Sequence, residues 1–271
     1  MTFMEKTNYL YKLADAAVNN EEVRIPGNGS IYSLANAPVN SCSHLAGKKV
    51  FFLGSSITYG AGSYGESFVD YLAKEDGLLV QKEAISGTTL GNIKTDIPRV
   101  FAGKKDKLST FFVNAKDMGK LGLSYIARLK YFSKEAHPDA FVCQLSTNDS
   151  RKGVKLGEIS DSRDAKDFDT TTTIGAIEYI CAYVKQTWHC PLAFYTCLRS
   201  DDEYSELIDI LYDLRNKWGF TIFDLGRNDR VINETRRHSN YMVDDAHPTR
   251  AGYEMLWTPY FRGALSKLLK A

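Results

Sequence analysis

The chain has 271 residues, of which 44% are hydrophobic and 25% charged, as in a globular protein with a sizeable core. Its 34 basic and 33 acidic residues leave a net charge of +1, which excludes a broad electrostatic field toward nucleic acid or an anionic membrane. No stretch approaches the roughly 20 apolar residues that span a bilayer. We therefore expect neither nucleic acid nor membrane as a partner.

Residues 1–46 precede the first predicted strand. Asn8–Val18 has the apolar spacing of a helix. The later stretch RIPGNGSIYSLANAP is rich in the turn-forming residues Gly, Pro and Asn. We predict that residues 1–46 form an N-terminal extension packed on a main domain that comprises residues 47–271.

Five apolar runs with strand character follow, and helical patterns separate them. The runs are mostly continuous rather than strictly alternating, which indicates strands covered on both faces. They are KKVFFLG (48–54), LLVQKEAI (78–85), DAFVCQLS (139–146), PLAFYTCL (191–198) and FTIFDL (220–225). The alternation of strands and helices predicts an α/β fold, with a parallel sheet between two helical layers.

Several helix ends can be predicted from the sequence. SDDE (200–203) has the pattern of a capping box, and Gly219 is placed to end the helix that follows it. Residues 173–187 repeat the apolar spacing of an amphipathic helix. The last helix is predicted to begin near Pro248–Thr249, and Pro259 is expected to kink it or to end its first segment.

Polar residues follow the carboxyl ends of the predicted strands, where reactive groups gather in open α/β sheets. Ser56 follows the first strand, Gly87 the second and Asn148 the third. The loop VDDAHPT, ahead of the last helix, adds Asp244 and His247. A serine nucleophile needs a neighbouring base, and a carboxylate can orient an imidazole base, so these residues indicate a hydrolase.

Attack of Ser56 on an ester creates an oxyanion, which needs donors aimed at the developing charge. The candidates are the N–H of Ser56, the N–H of Gly87 and the side-chain amide of Asn148. A carboxylate at Asp244 can orient His247, and the adjacent Asp245 is the alternative. Turnover requires neutral His247, so activity is expected to fall in acid.

Four short blocks carry a family resemblance: GSSIT (54–58), ISGTT (85–89), STND (146–149) and DDAH (244–247). In this order they resemble the SGNH (GDSL-type) hydrolase superfamily, with Ser56 at the nucleophile position. Two positions depart from the pattern, since Ser55 replaces the aspartate of GDSL and Thr147 stands where glycine is common. The resemblance implies a three-layer, flavodoxin-like fold of about five strands, no metal or other cofactor, and ester or thioester hydrolysis through an acyl-enzyme.

The leading interpretation is a serine esterase that removes short acyl groups, acetyl above all, from a small-molecule or carbohydrate ester. The sequence has no long apolar lid segment, which argues against long-chain lipids. Tyr59, Tyr64 and Trp257 are expected near the rim, where they would stack on a sugar ring. A thioesterase or lysophospholipase-type acyl hydrolase is the alternative, and the oligomeric state stays open.

Two interpretations of another class compete with hydrolysis. GAGSYG (60–65) matches the dinucleotide-binding pattern G-x-G-x-x-G, but six residues separate it from the strand residue Leu53, where the motif needs a tight turn. A non-catalytic carbohydrate-binding relative would leave Ser56 unreactive toward organophosphates.

The five cysteines show no CxxC spacing, and the histidines have no metal-ligand spacing with them. The N-terminus MTFMEKTNYLYKL has no apolar signal segment. These features predict a cytoplasmic location unless a signal peptide has been removed. The adjacent His189–Cys190 pair is rejected as a thiol nucleophile because it lies at the start of a strand.

Overall fold

A computed structural model describes residues 25–92, 123–199 and 201–270. Its described part contains a sheet of five parallel strands in the order β2-β1-β3-β4-β5. The strands are β1 (Lys49–Gly54), β2 (Leu79–Ala84), β3 (Ala140–Gln144), β4 (Leu192–Tyr195) and β5 (Thr221–Phe223). Each strand lies inside its predicted run, so the predicted parallel α/β sheet is confirmed.

Helices cover both faces of this sheet. They are α1 (Ser56–Tyr59), α2 (Phe68–Asp76), α3 (Tyr125–Arg128), α4 (Thr173–Thr187), α5 (Asp202–Trp218), α6 (Asp229–Arg237), α7 (Arg250–Gly252) and α8 (Thr258–Leu268). On one face α2 packs against α8, where the rings of Phe68 and Phe261 stack at 3.9 Å between centroids. On the other face α4 and α5 meet, where the Trp218 indole N–H donates to Glu178.

Neighbouring phenylalanines on β1 show why this strand is apolar after its first residue, Lys49. Phe51 points to one face of the sheet, where its ring centroid lies 4.8 Å from that of Phe132 and 5.6 Å from that of Trp188. Phe52 points to the other face and contacts Phe68 at 5.9 Å. Because successive side chains of a strand alternate in direction, coverage on both faces buries β1 at every position from Val50 to Gly54.

The start of α5 corrects one prediction. The capping residue is Asp201, whose carboxylate accepts the N–H of Tyr204 at 2.9 Å, so the predicted capping box headed by Ser200 was wrong by one residue. Ser200 itself lies outside the described residues. The predicted end of this helix is confirmed, because Gly219 follows it with a left-handed φ of +70°.

The last helical region changes its hydrogen-bonding pattern just before Pro259. It begins after Thr249, passes through a π-helical turn at Tyr253–Trp257 and continues as α8. Pro259 stands in the first turn of α8, and proline has no N–H to donate to the carbonyl four residues earlier. The wider turn before Pro259 accommodates this loss without ending the helix.

The predicted helix Asn8–Val18 lies outside the described residues. Residues 25–46 are described and include the 3₁₀ turns Pro26–Asn28 and Ser30–Tyr32. The division into an extension and a main domain stays a prediction. Within the described ranges, no helix has the length and apolarity that crossing a bilayer requires.

Candidate active site

Ser56 is the first residue of α1, directly beyond the carboxyl end of β1. Gln144 Oε1, at the end of β3, fixes this turn by accepting the N–H of Ser55 at 2.9 Å and the Thr58 hydroxyl at 2.8 Å. Gly54 leaves room for the Thr58 side chain, since an added Cβ would lie 1.7 Å from its Oγ1. Ser56 is thereby held at the sheet edge with 7% of its surface exposed.

The loop before α7 brings His247 to Ser56. The distance from His247 Nε2 to Ser56 Oγ is 2.8 Å, although 191 residues separate the two in the chain. On the other side of the ring, Nδ1 lies 2.9 Å from Asp244 Oδ2 and 3.0 Å from Oδ1. Carboxylate, imidazole and hydroxyl thus form one hydrogen-bonded series, which is the arrangement that activates a serine.

Asp244, and not Asp245, contacts the imidazole. Asp245 is exposed and lies 3.4 Å from Arg151 Nη2. Burial by itself raises the pKa of Asp244, but the hydrogen bond and charge of His247, together with the N–H groups of Ala246 and His247, outweigh burial and lower this pKa to about 2. Asp244 is therefore ionised through the neutral and mildly acidic range.

The lowered pKa of Asp244 predicts a pH-dependent contribution to stability. A carboxyl whose folded-state pKa lies below its ordinary value of 3.8 stabilises the fold above about pH 4, and this contribution is lost as pH falls toward 2. We expect the difference in free energy of unfolding between the wild type and Asp244→Asn to be larger at pH 5 than at pH 3. Urea unfolding at both pH values measures it, and a difference independent of pH would contradict the lowered pKa.

The three predicted oxyanion donors lie on α1, on the loop after β2 and on the loop after β3. The N–H of Ser56 opens a helical turn and so has no acceptor within that helix. Gly87 adopts a left-handed φ of +74°, and its carbonyl accepts from the Lys152 ammonium. Asn148 Nδ2 donates to the Thr88 carbonyl at 3.0 Å, which joins the asparagine block to the glycine block. Their roles in holding an oxyanion stay predictions.

Arg128 is a residue at this site that the sequence interpretation missed. Its side chain is fully buried, and Nη2 donates to the carbonyl of Gly54 at 2.8 Å and to Thr88 Oγ1 at 3.0 Å. Nη1 donates to the carbonyl of Glu83 at 2.6 Å. Burial lowers the pKa of Arg128 to about 10, so the group stays cationic at neutral pH. Arg128 thus ties the ends of β1 and β2 to the glycine block, and its position in the otherwise apolar run YIARL was the available signal.

The structure corrects the prediction of aromatic residues at the rim. Tyr59 and Trp257 are 1% and 0% exposed, so they belong to the core and are not available to stack on a sugar. Tyr64 is half-buried, and the Arg250 guanidinium lies 4.7 Å from the centre of its ring. The predicted stacking surface is therefore not formed by Tyr59 or Trp257.

The rejected alternatives can also be placed. The turn α1 separates Gly60 from β1, so GAGSYG does not form the tight strand-to-helix turn of a dinucleotide site. Cys190 lies just before β4, at the edge of the sheet opposite Ser56. Burial raises the pKa of the Cys190 thiol to about 11, which opposes formation of a thiolate.

Comparison with known proteins identifies the family of this chain and solved structures with a similar fold. The model of the GDSL-like lipase/acylhydrolase family matches residues 52–255. No curated protein matches the sequence.

Solved structures with a similar fold include two proteins named as GDSL-like lipases. The protein from Bacteroides uniformis is 18% identical, with a TM-score of 0.55 over 81% of this chain and 96% of its own. The one from Bacteroides ovatus is 16% identical, with a TM-score of 0.54 over 81% and 98%.

A carbohydrate esterase family 2 enzyme with a carbohydrate-binding domain, from Corynascus thermopiles (Myceliophthora fergusii), is 17% identical. Its TM-score is 0.50, over 87% of this chain and 68% of that one. Likeness at such identities shows a shared fold, here the three-layer α/β/α fold that the four blocks implied. Since the family model spans most of the chain, the protein belongs to the GDSL-like lipase/acylhydrolase family and is a serine ester hydrolase.

Proposed function

We propose that Ser56 is the nucleophile, His247 the general base and acid, and Asp244 the group that orients His247. The observation that carries this assignment is the 2.8 Å distance between His247 Nε2 and Ser56 Oγ. It lies within the 2.6–3.2 Å reach expected between a base and the hydroxyl it deprotonates.

In the first half of the proposed reaction, Ser56 Oγ forms a bond to the ester carbonyl carbon while His247 Nε2 takes the hydroxyl proton. The ionised Asp244 stabilises the resulting imidazolium. The N–H groups of Ser56 and Gly87, with the Asn148 amide, donate to the oxyanion. Collapse breaks the bond to the alcohol, which leaves with the proton from His247.

In the second half, His247 takes a proton from water as the water oxygen attacks the acyl-enzyme. The bond from the acyl carbon to Ser56 Oγ then breaks, and His247 returns the proton to Ser56. The products are one carboxylic acid and one alcohol, and the enzyme regains its starting state. These steps need only groups of this chain and water.

For the substrate, we propose a short acyl ester, acetyl above all, of a carbohydrate or another polar alcohol. The support is twofold. The side of the site next to His247 carries the exposed charged pair Arg151 and Asp245, which suits a polar alcohol better than a lipid. The fold is also shared with a carbohydrate esterase family 2 enzyme.

A substrate series tests this proposal. The kcat/KM for p-nitrophenyl esters is expected to be highest for acetate and to fall at least about tenfold by octanoate, because a short acyl pocket excludes additional methylenes. Acetate release from acetylated oligosaccharides should exceed release from triacetin. Ser56→Ala is the background control in both assays. A preference for long acyl chains or for thioesters would contradict the proposed substrate while leaving the proposed nucleophile intact.

A further inference from the structure

Residues 25–34 (segment 25–34) precede the family match, which begins at residue 52, yet they contact both loops of the candidate active site. Asn28 makes the central contacts and is 2% exposed. Its Nδ2 donates to the carbonyl of Gly62 at 2.8 Å, and its Oδ1 accepts the N–H of Arg250 at 2.9 Å. The Arg250 guanidinium also donates to the Asn28 carbonyl at 3.1 Å. One buried amide thus bridges two parts of the chain that are remote in sequence.

The two bridged residues lie shortly after the two catalytic residues in the chain. Gly62 lies in GAGSYG, six residues beyond Ser56, and Arg250 lies three residues beyond His247. A Cβ added to Gly62 would lie 3.0 Å from His247 Cβ and 2.6 Å from the carbonyl of Pro248. The loop after the nucleophile is therefore in direct contact with the loop of the base, which gives the glycine-rich motif a structural role.

Segment 25–34 fits its position closely. A Cβ added to Gly27 would lie 1.8 Å from the carbonyl of Asn240 and 2.5 Å from Thr249 Oγ1, so only glycine brings Asn28 this near. Further along, the N–H of Leu34 donates to Glu66 Oε2 at 3.0 Å. Glu66 in turn pairs with Arg250 at 2.7 Å. The segment is thus linked to Arg250 twice, directly through Asn28 and indirectly through Leu34 and Glu66.

We propose that Asn28 is a positioning residue that keeps His247 within hydrogen-bonding distance of Ser56. It acts by holding the Gly62 carbonyl and the Arg250 N–H at a fixed separation. The proposal rests on the proposed function of Ser56 and His247, and it assigns a catalytic requirement to a segment outside the family match.

Two substitutions at Asn28 separate positioning from stability. Asn28→Ala removes both side-chain hydrogen bonds. Asn28→Asp keeps an acceptor for the Arg250 N–H and adds attraction to its guanidinium, but it sets a carboxylate oxygen against the Gly62 carbonyl. Asn36→Ala is the matched control, because the Asn36 amide donates to the Ser30 carbonyl at 2.8 Å and, within the described ranges, bonds neither Gly62 nor Arg250.

We expect kcat for p-nitrophenyl acetate to fall about 10- to 100-fold in both Asn28 variants, since a shift of about 1 Å at reacting groups costs about 100-fold. KM should stay within about threefold, and the rate at which a fluorophosphonate labels Ser56 should fall with kcat. The urea midpoint should fall more in Asn28→Ala than in Asn28→Asp. Asn36→Ala should keep kcat within about twofold.

Wild-type kcat in both Asn28 variants, or a loss that follows only the unfolded fraction, would overturn the proposal. The NMR resonance of the His247 Nδ1 proton gives a readout that does not depend on turnover, and it should shift or broaden in the Asn28 variants but not in Asn36→Ala. If the wild type cleaves no ester and reacts with no fluorophosphonate, the proposed function fails. Whether or not the proposed function holds, an unchanged His247 resonance in the Asn28 variants would reject the positioning role.

Discussion

Replacing Ser56 by alanine is expected to lower kcat for p-nitrophenyl acetate by about 10⁴- to 10⁶-fold, as loss of a serine nucleophile does in other hydrolases. The substitution removes only the hydroxyl group, whose Oγ lies 2.8 Å from His247 Nε2. The fold should persist, because Gln144 holds α1 through Ser55 and Thr58 and not through Ser56. Steady-state kinetics measures the loss, and circular dichroism checks the fold.

Ser55→Ala is the matched control, since it removes a hydroxyl one residue away. Ser55 is fully buried, and its N–H rather than its hydroxyl donates to Gln144. We expect kcat within about tenfold of the wild type, and fluorophosphonate labelling should stay on Ser56. Retention of more than about 1% of wild-type kcat by Ser56→Ala would reject Ser56 as the nucleophile.

The second large effect is expected from Asp244→Asn, which should lower kcat by about 10²- to 10⁴-fold. Asp244 accepts from Nδ1 of His247 and so holds the proton on that nitrogen, which leaves Nε2 free to accept from Ser56. An asparagine can turn its amide NH₂ toward Nδ1 and favour the opposite tautomer, in which Nε2 carries the proton. Kinetics with p-nitrophenyl acetate measures the loss.

Asp245→Asn removes the neighbouring carboxylate and is the control for this variant. Its partner is the exposed Arg151, and an exposed pair contributes little to stability, so we expect kcat within about threefold of the wild type. Equal losses in the two variants would mean that a general field of negative charge, and not orientation of His247 by Asp244, supports catalysis.

The sheet could be predicted from the sequence because its signal is local. A strand buried on both faces reads as an apolar run, as Phe51 and Phe52 show on β1. The candidate site followed from the sheet, since residues after parallel strands gather at one edge. Ser56 and His247 were each weak signals alone, and the order of the four blocks along the chain made them a candidate pair.

The supporting contacts could not be predicted, because each joins residues that are far apart in the chain. The Asn28 side chain meets Arg250 across 222 residues, and Gln144 meets Ser55 across 89. Sequence also does not distinguish a rim aromatic from a core aromatic near a site. Trp257 was predicted at the rim, but it packs on Phe68 with 6.0 Å between ring centroids.

The loop that carries Asp244 and His247 is organised largely by itself. Asp244 accepts the N–H groups of Ala246 and His247, and the N–H of Val243 donates to the carbonyl of His247. The Asp244 carboxylate and the His247 imidazole are thus positioned relative to each other by contacts that span at most four residues of the chain. Of the two contacts that His247 makes in the catalytic series, only the one to Ser56, across 191 residues, depends on assembly of the whole chain.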